Sequence, residues 1–135
     1  MGNNLKFNSS VCTTREQSQR LLDLGLKPET ADMHHYKWSE GYWEIESCPP
    51  RGSGSSFIPA WSLHRLIEIL PSDIKPRNDY YNIIFDKDIV QYENYGYGIE
   101  VLKSFGDSTN IYDNIIDCIK WLISNGYFNK EYLKQ

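Results

Sequence analysis

Residues 80–105 read YYNIIFDKDIVQYENYGYGIEVLKSF, and the way this run divides decides the fold. YYNIIFD (80–86), IVQYEN (89–94) and IEVLKSF (99–105) are rich in the β-branched and aromatic residues that suit a pleated, half-buried surface. The connections between them, Lys87-Asp88 and the four residues 95–98, are too short for the crossover of about a dozen residues that a parallel pair requires. The run therefore predicts a three-stranded antiparallel meander. Alternation is imperfect in YYNIIF, which suits a strand covered on both faces or one at the centre of the sheet.

On the C-terminal side, NIYDNIIDCIKWLISNGYF (110–128) carries Ile111, Ile115, Ile119 and Leu122, with Ile116 and Ile123 beside them, at helical spacing. Asp107, Ser108 and Thr109 offer N-caps, and Asn125-Gly126 suits the helix exit. On the N-terminal side, IPAWSLHRLIEILP (58–71) reads as a helix with Pro59 in its first turn. Leu63, Leu66, Ile67 and Leu70 form its apolar stripe, and Pro71 ends it.

Further upstream, HHYKW and YWEIE flank Ser39-Glu40-Gly41 and predict a hairpin in which Tyr36 and Trp38 share a face. CTTREQSQRLLDLGL (12–26) predicts a first helix over 14–24, with Thr13 and Glu16 as a capping box and Gly25 at the exit. Pro28 then begins a turn or a single helical turn. The order α-β-β-α-β-β-β-α defines an α+β domain: an antiparallel sheet of about five strands with three helices packed on it.

Three of these segments, at 12–33, 58–71 and 115–127, resemble a family of small proteins from gut Bacteroidetes, their phages and mobile elements. That family's pattern is a helix of the EQSKRLLELGL kind, then IPAWSL..LLELLP, then WLLENGY. The resemblance follows the same order along most of the chain. It implies a bacterial or phage cytoplasmic context but brings no established activity and no catalytic residues, and the loop at 46–57 departs from the pattern.

Length and composition agree with one domain over 1–135, residues 1–10 forming a loosely ordered tail: 135 residues, 40% apolar and 24% charged. A formal charge of −4 and a pI near 5.3 argue against broad nucleic-acid binding, which draws its affinity from Lys and Arg on phosphates. No run approaches the roughly 20 apolar residues of a membrane span, and the N-terminus has no leader pattern. Cys12, Cys48 and Cys118 are odd in number and widely spaced, which suits a reducing cytoplasm better than a disulfide framework.

Residues that carry chemistry are scattered. PPRGSGSS (49–56) lacks the lysine of a phosphate-binding P-loop. It reads as a flexible connection in which Arg51, beside backbone amides ahead of the second helix, is the candidate anion contact. His34 and His35 would point to opposite faces of a strand, so a metal would need one of them to meet Cys48 and His64. The plainer reading is two exposed hairpin histidines, and no metal or cofactor is assigned. Cys12 precedes a helix but has no base beside it in the sequence; Cys118 reads as core. The acids Asp86, Asp88, Glu40, Glu44 and Glu46 read as solvated hairpin ends.

The aromatic runs hold more rings than one small core encloses easily. Tyr92, Tyr95 and Tyr97 are expected to border a contact surface or a homodimer seam. The functional expectation is a cytoplasmic protein-binding domain acting through an aromatic and acidic surface, suited to a basic partner. The alternatives are a small-molecule or nucleotide-processing enzyme using the 49–57 loop, and a phage structural component.

Overall fold

The computed structural model describes residues 5, 7, 9–96 and 98–135. The chain is α+β, but its strands form two antiparallel sheets rather than one of about five strands. The first sheet comprises β1 (Met33–Lys37), β2 (Trp43–Glu46) and β3 (Phe57–Ala60) in the order β2-β1-β3; the second comprises β4 (Asp73–Ile74), β5 (Tyr81–Asp86), β6 (Ile89–Asn94) and β7 (Glu100–Phe105) in sequence order. Helix α1 (Arg15–Asp23) packs on β3, α3 (Ile111–Ser124) packs on β6 and β7, and the two helices meet each other.

The meander of β5, β6 and β7 has the expected order, with a bulge between Tyr92 and Glu93. Strand β4 pairs on its edge through Asp73↔Asn82 and Ile74↔Tyr81, where a loop is expected from the sequence. Helix α3 presents Ile115, Ile116, Cys118, Ile119 and Leu122 to the core. A fully buried Leu or Ile contributes about 1.5–3 kcal/mol, so this face anchors the second sheet. Asn110 caps the helix by accepting from Tyr112 N at 2.9 Å, one residue beyond the expected caps.

The N-terminal capping box also shifts by one. Thr14 Oγ1 accepts from Gln17 N at 3.1 Å and Gln17 Oε1 accepts from Thr14 N at 2.9 Å. Thr13 is engaged elsewhere. Its amide donates to Trp61 O at 2.9 Å and its Oγ1 accepts from Trp61 N at 3.1 Å, clasping the helix entry to the chain after β3.

The largest departure lies at 57–62. Phe57–Ala60 is a strand, paired to β1 through His34↔Pro59 and Tyr36↔Phe57. Proline donates no hydrogen bond, so Pro59 is tolerated because β3 is an edge strand. Helix α2 (Leu63–Ile69) starts only after Ser62, whose Oγ accepts from Arg65 N. Asp32 holds that cap in place by accepting from Ser62 N and Ser62 Oγ. Leu66, Ile69 and Leu70 are buried while Ile67 is exposed, so the buried face of α2 runs through Leu66 and Ile69 instead of along the expected stripe, and Leu70 is already extended.

The C-terminus returns to the exit of α1. Leu26 and Leu133 form a bridge, Lys134 N donates to Gly25 O, and Lys27 N donates to Tyr132 O. Gly25 at φ +102° supplies the left-handed conformation that releases the chain from α1. Among the described residues no helix is long and apolar enough to cross a membrane.

Candidate functional site

The two faces of the first sheet differ in what covers them. Residues directly opposite in an antiparallel pair share a face. His35, Lys37, Trp43, Ile45 and Ile58 therefore fall on one side, and this side meets the N-terminal turn of α1. His35 Nε2 donates to Thr13 O at 2.8 Å, and the Arg15 guanidinium lies 4.5 Å from the centre of the Trp43 ring. Burial lowers the pKa of His35, with Arg15 and His34 adding to the effect and the bond to Thr13 O opposing it.

The other side carries His34, Tyr36 and Phe57 beside Glu44 and Glu46, and continues past the end of β1 to Trp38 and Tyr42. The rings form a row with centroid separations of 5.8 Å from His34 to Phe57, 5.0 Å from Phe57 to Tyr36, 5.0 Å from Tyr36 to Trp38 and 6.2 Å from Trp38 to Tyr42. Exposure rises along it, from 1% at His34 to 39% at Trp38 and 52% at Tyr42. Trp38 Nε1 donates to Glu44 Oε2 at 3.2 Å, and Trp38 N donates to Tyr42 O at 2.9 Å, so the exposed end is held by the hairpin itself.

At the buried end the 47–56 segment folds over the row. A Cβ on Gly52 would stand 3.0 Å from the Phe57 ring, so glycine lets the backbone lie against that ring. His34 Nδ1 donates to Cys48 O at 2.8 Å, and His34 Nε2 faces Glu46 Oε1 at 3.8 Å. Arg51 Nη2 lies 3.5 Å from Cys48 Sγ and 3.6 Å from Glu46 Oε2. One ligand atom each from His34, Glu46 and Cys48 lies within 4.8 Å of the others.

This arrangement corrects several sequence expectations. His34 and His35 do point to opposite faces, yet both are buried rather than exposed. Cys48 meets His34 and Glu46, and His64 is not in that group. Arg51 does not stand at a helix start, because β3 intervenes before α2; its neighbours are the chain's own thiol and carboxylate. Tyr92 is wholly buried, donates to Pro71 O at 2.8 Å and stacks on Trp121. It is core, because alternate residues of β6 face α3 and the sheet interior, and it cannot border a contact surface. Tyr95 is exposed and its hydroxyl donates to Glu93, which raises its pKa; Tyr97 lies outside the described residues.

Of the cysteines, Cys118 is core as expected, with burial raising its pKa to about 12. Cys12 is also buried, and burial with the Asp32 charge raises its pKa to about 11. Neither suits nucleophilic chemistry, which uses the thiolate. A cleft of about 520 Å³ lined by Ser10, Leu63, Lys87, Asp88, Asn110 and Tyr112 includes neither Arg51 nor a cysteine in its lining. No family model, curated protein or solved structure matches the chain.

Proposed function

We propose that this chain is a small cytoplasmic protein-binding domain, of bacterial, phage or mobile-element origin, that holds a basic segment of another protein on the row formed by Tyr36, Trp38 and Tyr42 with Glu44. The observation that carries this reading is the exposed, stacked Trp38–Tyr42 pair with its indole tied to a carboxylate. Aromatic faces attract Lys and Arg cations within about 6 Å of the ring centroid, and Glu44 adds a formal charge at the same place. Rings fixed in one geometry lose little freedom on binding, and the net charge of −4 favours encounter with a basic partner.

The test is fluorescence anisotropy of labelled Lys/Arg-containing peptides against the full chain, with acidic peptides of equal length beside them. Basic peptides are expected to bind selectively and more weakly as salt rises. Trp38→Ala and Glu44→Gln should each weaken that binding at least about fivefold, the range of about 1 kcal/mol expected of a cation–π or charge contact. Equal affinity for acidic peptides, or basic-peptide binding unchanged in both variants, would refute the assignment. A concentration-dependent dimer whose formation hides Trp38 would assign the same face to a second copy of the chain.

A second reading, a small-molecule or nucleotide-processing enzyme on the 49–57 loop, draws on Glu46 standing between His34 and Arg51. Cys48 Sγ accepts a hydrogen bond from Arg51, and among the described residues it donates none to the His34 imidazole, the contact through which a base activates a thiol. Thermal stabilisation by nucleotides in the absence of any metal would favour the enzyme.

A further inference from the structure

The geometry points to a divalent transition-metal site of the zinc class formed by His34 Nε2, the Glu46 carboxylate and Cys48 Sγ. The three residues come from β1, from the end of β2 and from the second residue beyond it, and their ligand atoms lie within 4.8 Å of one another. A metal-binding histidine commonly donates its other ring nitrogen to a carbonyl or carboxylate, which fixes the ring and the tautomer. His34 does this: Nδ1 donates to Cys48 O at 2.8 Å, which leaves Nε2 turned toward Glu46 at 3.8 Å. The acceptor belongs to another ligand of the set. One hydrogen bond therefore fixes the imidazole relative to the cysteine that would share the ion.

The donor set decides the class of ion. Imidazole nitrogen and thiolate sulfur select zinc and its neighbours, whereas magnesium and calcium take oxygen. Bond lengths of about 2.0–2.3 Å around a tetrahedral ion place ligand atoms about 3.3–3.7 Å apart. The cluster, whose ligand atoms lie within 4.8 Å of one another, thus has to contract by about 1.5 Å at most. His34 is buried and fixed, while Glu46 and Cys48 are partly exposed at the sheet margin, so they are the groups that close on it. Three protein ligands leave the fourth tetrahedral position for water or a ligand from a partner, the open arrangement of a reactive or shared zinc site rather than a closed structural one.

A positive group already sits against this cluster. Arg51 Nη2 contacts both Cys48 Sγ and Glu46 Oε2, and the side chain is 72% exposed, so it is free to withdraw when an ion enters. Its charge competes with the metal for the same carboxylate and sulfur.

Zinc titration of the metal-free full chain by calorimetry, with cobalt(II) absorption as a second readout, tests the site. One equivalent is expected to bind at micromolar concentration or tighter, with a thiolate-to-cobalt charge-transfer band. Cys48→Ser should abolish the band, and Cys48→Ser and Glu46→Gln should each weaken zinc at least about tenfold. His34→Asn keeps a donor where Nδ1 stands but removes Nε2, and it should weaken zinc equally while the chain remains folded. Arg51→Ala should strengthen binding, and Trp38→Ala should leave it unchanged, which separates this site from the aromatic contact face. No binding at millimolar metal, or affinity unchanged in both Cys48→Ser and Glu46→Gln, would overturn the assignment.

Discussion

The His34 imidazole donates Nδ1–H to the carbonyl of Cys48 across 2.8 Å, joining the middle strand of one sheet to the segment that covers it. Replacing His34 by Ala would leave that carbonyl without its partner and a void beside Phe57. The expected loss is about 2–4 kcal/mol of unfolding free energy, from the unpaired polar group together with the cavity. His34→Asn should recover a substantial part of it by supplying an amide donor at the δ position. Urea unfolding of the three proteins checks this ordering.

Thiol reactivity should separate the three cysteines. Cys12 and Cys118 are buried, with pKa values raised to about 11 and about 12, whereas Cys48 is partly exposed. In the folded chain a disulfide reagent is expected to modify Cys48 rapidly and the other two only on unfolding, when all three react. Saturating zinc should protect Cys48. Fast modification of two thiols in the native protein contradicts this assignment of burial.

Stability should fall on mild acidification because of His35. Burial places its folded pKa below the usual 6.5, so between the two values the unfolded chain binds more protons than the folded one. The contribution of His35 is fully present above 6.5 and is lost as the pH falls from there through the folded value. Urea midpoints measured roughly one unit above and one unit below the ordinary histidine pKa should differ in the wild type. The difference should shrink in His35→Gln, whose amide retains a donor to Thr13 O and does not titrate in this range.

Asn114 ties the start of α3 to the meander. It is fully buried, its Nδ2 donates to Asp88 O and Ser108 O at 2.7 and 2.8 Å, and its Oδ1 accepts from Ser108 N at 3.0 Å. Asn114→Ala would strand three backbone groups and should cost about 3 kcal/mol or more. Asn114→Asp should cost more still, because it turns a carboxylate toward two carbonyl oxygens. Thermal unfolding of both variants tests the order, and an Asp variant as stable as wild type would contradict it.

Tyr92 tests the division between core and contact surface. Tyr92→Phe removes the hydroxyl that donates to Pro71 O and should lower stability by about 1 kcal/mol. Binding of basic peptides should not change. A weakened peptide affinity without loss of stability would restore Tyr92 to the contact surface.

Local patterns determined much of this protein. The meander, the first hairpin, α1 and α3 follow from composition, turn residues and helical periodicity, because those signals are complete within each segment. Even the pairing of His34 with Glu46 is legible: the hairpin is symmetric about Glu40, so Tyr36 faces Glu44 and His34 faces Glu46. What that symmetry could not supply was burial, which made His34 resemble a solvated hairpin residue.

Only the tertiary structure decided the rest. Whether Phe57–Ala60 continues α2 or forms an edge strand depends on the partner β1 offers and on Asp32, distant in sequence, fixing Ser62 as the cap. Which threonine caps α1 depends on Trp61 having taken Thr13. Tyr92 and Tyr95 sit in similar sequence surroundings, yet α3 covers one and leaves the other in solvent. The meeting of Cys48 with His34 and Glu46 is set by how a Gly/Ser-rich segment folds back over Phe57. That path is fixed by what the segment packs against, since its own residues favour no single conformation.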